Sequence, residues 1–190
     1  RMKRGALTPF ARYEASITGR GEVKAIKTHA WLESFPLTGM AVYAGLYCND
    51  LMLSMHPMAQ DSEGLYRLYL NVIQLLSART GLSESIRHFE YELLDFLGCM
   101  PSWGVDQAGQ PVDPCSRYQV MPMQLPVLHP QGGYLGEWLL EIEKQHFSES
   151  LVNQAAKQLF HALLKAVIGR KSFRSREVLS RVLASYPEKI

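Results

Sequence analysis

The sequence predicts a mainly α-helical fold that begins with a small β unit. Residues 9–27 contain two stretches in which polar and apolar side chains alternate, the period of a β-strand. From residue 39 onward, apolar residues recur every three or four positions, which indicates amphipathic helices. Six prolines fall among glycines in residues 99–133, which predicts an irregular insertion holding at most short strands. We therefore predict a β unit over residues 1–34 and a helical domain over residues 35–190.

The β unit is predicted as a hairpin with strands near residues 9–17 and 22–27. Gly19 and Gly21 flank Arg20 in the turn, and glycine supplies the positive φ angles that a tight turn needs. An arginine at such a tip is exposed and can meet a phosphate group. Two strands are not stable alone, so they need partners from the helices or from residues that precede Arg1. We expect that residues are missing upstream, because a strand is already under way by Leu7.

The helices follow from apolar stripes and from the residues at their ends. The first is apolar over much of its circumference, which predicts a central helix with several neighbours. Thr38 is a plausible N-cap for it, and Gly98 is placed to end the third helix. The predicted helices cover residues 39–55, 62–78, 84–97, 135–143, 148–168 and 176–185.

The net charge of +2 hides an uneven distribution of charge. Residues 1–28 hold seven Lys and Arg against two Glu, and residues 165–190 again hold seven against two. The segment between them is acidic, with six basic and fourteen acidic residues. If the two ends meet in space, they form the positive surface that a polyanion requires. The alternative is two ordinary solvated faces.

Several classes of site find no support in the sequence. Three scattered cysteines argue against disulfides and against a Cys-rich zinc site, and no pair of histidines has helical metal-ligand spacing, so we expect no metal or cofactor. No stretch is apolar enough to span a membrane. Glu90, Glu92 and Asp95 read as solvated positions on one helix, and neither a phosphate-binding loop nor a catalytic constellation is apparent. We expect no enzymatic activity; a hydrolase within residues 99–133 would need converging titratable groups.

The order of several motifs resembles the RecO family of bacterial recombination mediators. The resemblance extends over nearly the whole chain, and its motifs are specific together rather than singly. They comprise Arg-Gly-Ala-Leu-Thr-Pro-Phe at 4–10, Gly-Arg-Gly-Glu-Val-Lys at 19–24, Pro-Leu-Thr-Gly at 36–39, Tyr-Ala-Gly-Leu-Tyr-Cys-Asn-Asp-Leu at 43–51, Arg-His-Phe-Glu-Tyr-Glu-Leu-Leu at 87–94 with Leu-Gly at 97–98, and Arg-Lys-Ser-Phe-Arg-Ser-Arg-Glu at 170–177.

This resemblance implies an N-terminal oligonucleotide-binding barrel (OB-fold) followed by a helical domain. Residues 1–34 would then be the remnant of the barrel, with its last strand pair at about residues 7–28. The resemblance also implies binding of single- and double-stranded DNA, annealing of complementary strands, and a cytoplasmic, nucleoid-associated protein with no membrane partner. The implied protein partners are RecR and the C-terminal tail of single-stranded-DNA-binding protein, with which the family loads the recombinase RecA. A helical protein-binding adapter without DNA binding is the alternative.

Candidate site residues follow from the charge pattern and the resemblance. Tyr13 and Phe10 could stack on bases, although such aromatics are more often core residues. Some family members carry a four-cysteine zinc site in the insertion, but only Cys99 and Cys115 are present here, so no zinc is expected. The predicted DNA-binding residues are Lys3, Arg4, Arg20, Lys24, Lys27, Arg170, Lys171, Arg174 and Arg176.

The resemblance also implies a site for the acidic tail of single-stranded-DNA-binding protein. Arg87 occupies the place of an arginine that meets this tail in the family, with Ile86 and Phe89 as apolar contacts. A guanidinium can pair with a terminal carboxylate while the helix face binds an apolar side chain. The alternative is that Arg87 is a surface residue that pairs with Glu84 or Glu90.

Overall fold

A computed structural model describes residues 7–20, 24–55 and 62–168 of the chain. Within these ranges a β-hairpin is followed by five helices, with a small three-stranded sheet before the fourth helix. The predicted mainly α-helical fold with a partial β region is therefore confirmed. The elements are β1 Ala11–Thr18, β2 Ala25–Ser34, α1 Met40–Met55, α2 Ser62–Ala78, α3 Leu82–Phe96, β3 Arg117–Gln119, β4 Val127–Leu128, β5 Tyr134–Leu135, α4 Gly136–Glu143 and α5 Ser150–Ile168.

The helix ends lie close to the predicted positions. Gly98 follows α3 with a φ of 66°, the left-handed conformation that ends a helix, as predicted. The hydroxyl of Thr38, predicted to cap α1, accepts a hydrogen bond of 2.5 Å from Arg79 and so ties the start of α1 to the end of α2. The predicted helix at 176–185 lies outside the described residues. None of the described helices is long and apolar enough to cross a membrane.

Helices α1, α2, α3 and α5 enclose the core, and Leu46 and Leu53 are the only exposed residues of α1. Its buried side includes Ala44, Tyr47 and Cys48, whereas Leu53 is 76% exposed. Helix α1 packs against α2, α3 and the ring of Phe10, as predicted for a central helix with several neighbours. On α5, Leu151 is exposed, and the neighbouring Val152 lies in the core.

The hairpin is longer than the alternating pattern indicated. Strand β2 continues to Ser34, whereas the sequence predicted its end near residue 27. The antiparallel register pairs Ile17 with Ile26 and Ser16 with Thr28, so Lys27 is an extra residue of β2 with no counterpart on β1. A second register shift, between Arg12 and Tyr13, makes Leu32 another extra residue of β2. Each extra residue interrupts the period of two, which is why residues 28–34 did not read as a strand.

Phe10 connects the hairpin to the helices. It has a φ of 54°, in the left-handed region, and its carbonyl accepts a 2.8 Å hydrogen bond from the amide of Phe35. The Phe10 ring lies against α1 at Gly45, where an added Cβ would come within 2.7 Å of the ring. Glycine at position 45 thus allows the ring to approach the helix backbone closely.

The insertion at 99–133 is packed against the core. Trp103, Val112 and Tyr118 are buried, and Tyr118 lies on the central strand of the β4-β3-β5 sheet. Carboxylates hold its turns: Asp106 Oδ1 accepts two backbone N–H bonds of 2.9 Å, and Glu143 Oε1 accepts a 3.2 Å bond from the Trp103 amide. The insertion is irregular and holds the short strands β3 and β4, in agreement with the prediction from the sequence.

Candidate nucleic-acid interface

The tip of the hairpin carries three of the predicted DNA-binding residues. Arg20, Lys24 and Lys27 are all exposed. The Lys24 ammonium donates a 3.2 Å hydrogen bond to the carbonyl of Gly19, so this side chain also braces the turn. An ammonium has three N–H donors, and two remain to meet a phosphate. The structure therefore brings three cations to one end of the hairpin.

Lys27 has a distinct position in this group. Lys27 lies between the Ser16–Thr28 and Ile17–Ile26 pairs and has no counterpart on β1, so it forms a β-bulge. A bulge locally increases strand twist and turns a side chain away from the regular alternation. Side-chain direction at Lys27 therefore cannot be read from the period of two that the sequence predicts for this strand.

One face of the hairpin is aromatic and apolar. Tyr13 lies opposite Trp31 and Ala15 opposite His29, and directly opposed residues of an antiparallel pair share a face. The Tyr13 and His29 rings meet edge to face, with centroids 5.8 Å apart. On this surface Trp31 is 61% exposed and Ile17 is 66% exposed. Below, "the aromatic face" means Tyr13, Ile17, His29 and Trp31.

Of the two residues predicted to stack on bases, Tyr13 lies on the aromatic face and Phe10 does not. Tyr13 belongs to it, and its hydroxyl is held by the backbone amide and hydroxyl of Thr8 at 3.0 and 2.8 Å. These hydrogen bonds to Thr8 lower the pKa of the Tyr13 hydroxyl. Phe10 is half-buried against the helical core and reads as a core residue. His29 and Trp31 were not predicted for this face, because the strand predicted from the sequence ends before them.

The other predicted DNA-binding residues cannot be placed on this surface. Lys3, Arg4, Arg170, Lys171, Arg174 and Arg176 lie outside the described residues. Whether the two basic ends form one surface therefore stays a prediction.

Residues predicted to be solvated on α3 include a buried charge. Glu90 is 0% exposed, so its interpretation as a solvated position is wrong, whereas Asp95 is exposed. Arg87 is 5% exposed, and its Nη1 lies 2.7 Å from Glu90 Oε2. Arg87 does pair with Glu90, as one interpretation held, but the pair lies inside the protein rather than on its surface. Glu90 Oε1 also accepts a hydrogen bond from the Tyr47 hydroxyl.

This buried pair is incompletely satisfied by hydrogen bonds. The 2.7 Å contact has the distance of an ion pair without the alignment of a hydrogen bond, and Arg87 Nε finds no acceptor within the described part of the chain. Burial raises the pKa of the neighbouring Cys48 thiol, and the Glu90 carboxylate adds to this shift. Ile86 and Phe89, the predicted apolar contacts of a partner, are buried too. Binding of an acidic tail at these three residues stays a prediction.

The described residues contain no cluster of three or more His, Cys, Asp or Glu side chains that could hold a metal.

In the insertion, hydrogen bonds to carboxylates stabilise the turns. Asp113, for example, accepts bonds from the Ser116 hydroxyl and the Cys115 amide, which lower the pKa of its carboxyl group.

Comparison with known proteins gives the chain a family. The profile described as "Recombination protein O C terminal" matches residues 37–177. A protein named DNA repair protein RecO from Pseudomonas paraeruginosa is 35% identical over 186 residues, covering 94% of this chain and 78% of the relative. This chain belongs to the RecO family. Its RecO relatives include a Sodalis glossinidius protein, 31% identical over 97% of this chain and 74% of its own length.

The RecO assignment confirms the predicted resemblance and identifies a DNA repair protein. A Salmonella enteritidis protein named DNA repair protein RecO is likewise 31% identical, over 95% of this chain and 77% of its own length. The family profile begins at residue 37, just before α1, whereas the alignments with RecO proteins cover at least 94% of the chain. Both hairpin and helices therefore lie in a region of RecO-like sequence.

Proposed function

We propose that this RecO-family chain is a recombination mediator in the bacterial cytoplasm that binds single- and double-stranded DNA and anneals complementary strands. The observation that carries this proposal is the hairpin, on which three exposed cations adjoin an aromatic face. Cations attract the phosphate backbone without reading sequence, and exposed rings stack on unpaired bases. The proposal treats residues 1–34 as the nucleic-acid-binding unit and residues 35–190 as the helical domain.

Annealing requires a protein that holds strands by their backbones without locking their base-pairing edges. Phosphate contacts position a strand and carry no sequence information, so they leave those edges free. Stacking accepts any base, since every base has a π-face. The basic tip and the aromatic face together fit this requirement.

The test measures annealing of complementary fluorescent oligonucleotides by the chain and by an Arg20→Gln, Lys27→Gln variant. Lys24 is left intact because it braces the turn. The matched control is Arg117→Gln with Lys144→Gln, which also removes one Arg and one Lys, both exposed and in the helical domain. We expect the tip variant to anneal more slowly and the control to match the unaltered chain. No oligonucleotide binding by the unaltered chain at low salt would favour the adapter alternative and overturn the proposal.

The proposed partners are the acidic tail of single-stranded-DNA-binding protein and RecR, with which the chain would help load a recombinase on coated single strands. For the tail, the proposed contacts are Arg87, Ile86 and Phe89. Because these side chains are buried, a tail would have to displace side chains that cover α3. The guanidinium offers Nε, which lacks an acceptor among the described residues. A labelled tail peptide tests this: Arg87→Lys, which keeps the charge but loses the planar fork, should weaken binding while oligonucleotide affinity is unchanged.

A further inference from the structure

A cleft separates the base of the hairpin from helix α2. Its volume is about 310 Å³, at the lower end of the range typical of small-ligand sites. The hairpin contributes one wall and α2 the other, with the buried Phe35 between them. The lining residues are Phe10, Ala11, Arg12, Tyr13, Phe35, Tyr66, Tyr69, Leu70 and Ile73.

The lining of this cleft is aromatic and contains no carboxylate. Five of its nine residues carry aromatic rings, and its single charged side chain is Arg12. Among the described residues no carboxylate forms an ion pair with Arg12. Flat apolar walls with one available guanidinium match a planar ring that carries an anionic group nearby. A nucleotide within a single strand has this chemistry.

The α2 wall presents its rings in a fixed arrangement. Tyr66 and Tyr69 are three residues apart, so they neighbour each other on the helix surface, and Ile73 continues the same face. The Tyr69 hydroxyl donates a 2.6 Å hydrogen bond to Asn49 on α1, which holds its ring in place. Burial raises the pKa of Tyr69 to about 12. Tyr66 is 41% exposed and offers ring surface to a ligand.

The cleft is continuous with the proposed DNA-binding surface. Tyr13 lines the cleft and also belongs to the aromatic face, where it meets His29. A single strand that stacks along the aromatic face would therefore reach the cleft at the base of the hairpin. This continuity favours a nucleobase over an apolar peptide as the occupant.

We infer that the cleft receives one unpaired base of a bound single strand, stacked on Tyr66 with the adjoining phosphate at Arg12. This inference rests on the proposed DNA binding and adds to it a base-binding site at the joint of the hairpin and the helices. Stacking on one ring contributes enough for about a tenfold change in affinity when the ring is removed.

The test compares a single-stranded oligonucleotide with an abasic deoxyribose-phosphate strand of the same length, using Tyr66→Leu and, as the matched control, Tyr66→Phe. We expect Tyr66→Leu to bind the normal strand about tenfold more weakly and the abasic strand as the unaltered chain does. Tyr66→Phe keeps the ring and should behave as the unaltered chain. Cross-linking of a 5-iodouracil strand to Tyr66, identified by mass spectrometry, would place a base in the cleft directly.

Three outcomes would overturn the inference, and they differ in whether the proposed DNA binding is overturned as well. If Tyr66→Leu binds both strands normally while Arg20→Gln with Lys27→Gln weakens both, DNA binding stands and the cleft holds no base. If the unaltered chain binds neither strand, the proposed function fails as well. If Tyr66→Leu abolishes binding of the labelled tail peptide of single-stranded-DNA-binding protein but leaves oligonucleotide affinity intact, the occupant of the cleft is a peptide. An unchanged melting temperature of Tyr66→Leu confirms that the variant is folded.

Discussion

The ion pair of Arg87 and Glu90 places two charges inside the helical core. Removing both charges from water is costly, and their attraction offsets that cost only while both partners are present. The hydroxyl of Tyr47 supplies one further hydrogen bond to the carboxylate. The pair therefore joins α1 to α3 through a network that tolerates loss of one member poorly.

We predict that Arg87→Met and Glu90→Gln will each lower the free energy of unfolding by about 3–5 kcal/mol, because each leaves an uncompensated buried group. The double variant should cost less than the sum of the two. Urea unfolding of the four proteins in this cycle measures the coupling. The exposed Glu63–Arg67 pair is the control, and its removal should cost less than about 1 kcal/mol. Additive effects at positions 87 and 90 would contradict a direct interaction.

Helical spacing alone places Glu90 on the core side of α3. It lies four residues after Ile86 and three before Leu93, both of which are buried. The sequence predicted a solvated Glu90 because this residue stands between the apolar residues of the helix. One of the groups that stabilise the buried carboxylate is the hydroxyl of Tyr47, forty-three positions away in the sequence. A contact over that separation is not visible in a local pattern.

Asp113 gives a prediction about pH. Hydrogen bonds from Ser116 and Cys115 lower the pKa of its carboxyl below the usual value of about 3.8, so the folded state favours the ionised form. This contribution to stability is present above the unfolded-state pKa and is lost as pH falls through the lowered pKa. Asp113→Asn should therefore lose less stability on acidification than the unaltered chain, as measured by urea unfolding from about pH 5 downward.

Ser116→Ala removes one of the two hydrogen-bond donors to the Asp113 carboxylate, so it should weaken the preference for the ionised form only in part. Its acid-induced loss of stability should lie between that of Asp113→Asn and that of the unaltered chain. Identical pH profiles for all three proteins would show that the turn does not depend on the ionised carboxylate.

Among the elements, the hairpin depends on its contact with α1 for support. Two strands are marginal alone, and both faces of this hairpin are largely exposed. The ring of Phe10 against Gly45 and the hydrogen bond between Phe10 and Phe35 attach its base to the helices. The hairpin should accordingly open more readily than the core helices.

We predict that Phe10→Ala will raise amide hydrogen exchange throughout β1 and β2 while protection in α3 and α5 is unchanged. Phe10 is half-buried, so the cost should be below the about 3–5 kcal/mol typical of a fully buried phenylalanine. Exchange followed by mass spectrometry gives the readout, with Tyr66→Phe as a control beside the same joint. Uniform acceleration in every element would mean that the hairpin and the helices unfold together.

The sequence predicted the helices better than the strands, and the reason is physical. A helix of 15–19 residues repeats its apolar stripe several times, so α2, α3 and α5 were located within about two residues. Strand β2 was cut short because bulges at Lys27 and Leu32 break its alternation. The aromatic face depends on the register that pairs Tyr13 with Trp31, and a register is a non-local property.

For the whole molecule, the central claim is that the hairpin tip of this RecO-family chain meets DNA phosphates. Net charge alone does not support this, because the total is only +2. What supports it is the arrangement of Arg20, Lys24 and Lys27 at one end of an exposed hairpin, beside rings that can stack on bases. Phosphate contacts release counterions, so each one adds a definite amount to the salt dependence of binding.

The most direct measurement is the affinity for a single-stranded oligonucleotide over a range of salt concentrations. For single strands the slope of log affinity against log salt changes by about 0.7 for each phosphate neutralised. We predict a slope shallower by about 1.4 for Arg20→Gln with Lys27→Gln, and an unchanged slope for Arg117→Gln with Lys144→Gln. Equal slopes for the unaltered chain and both variants would contradict the claim that the tip binds DNA.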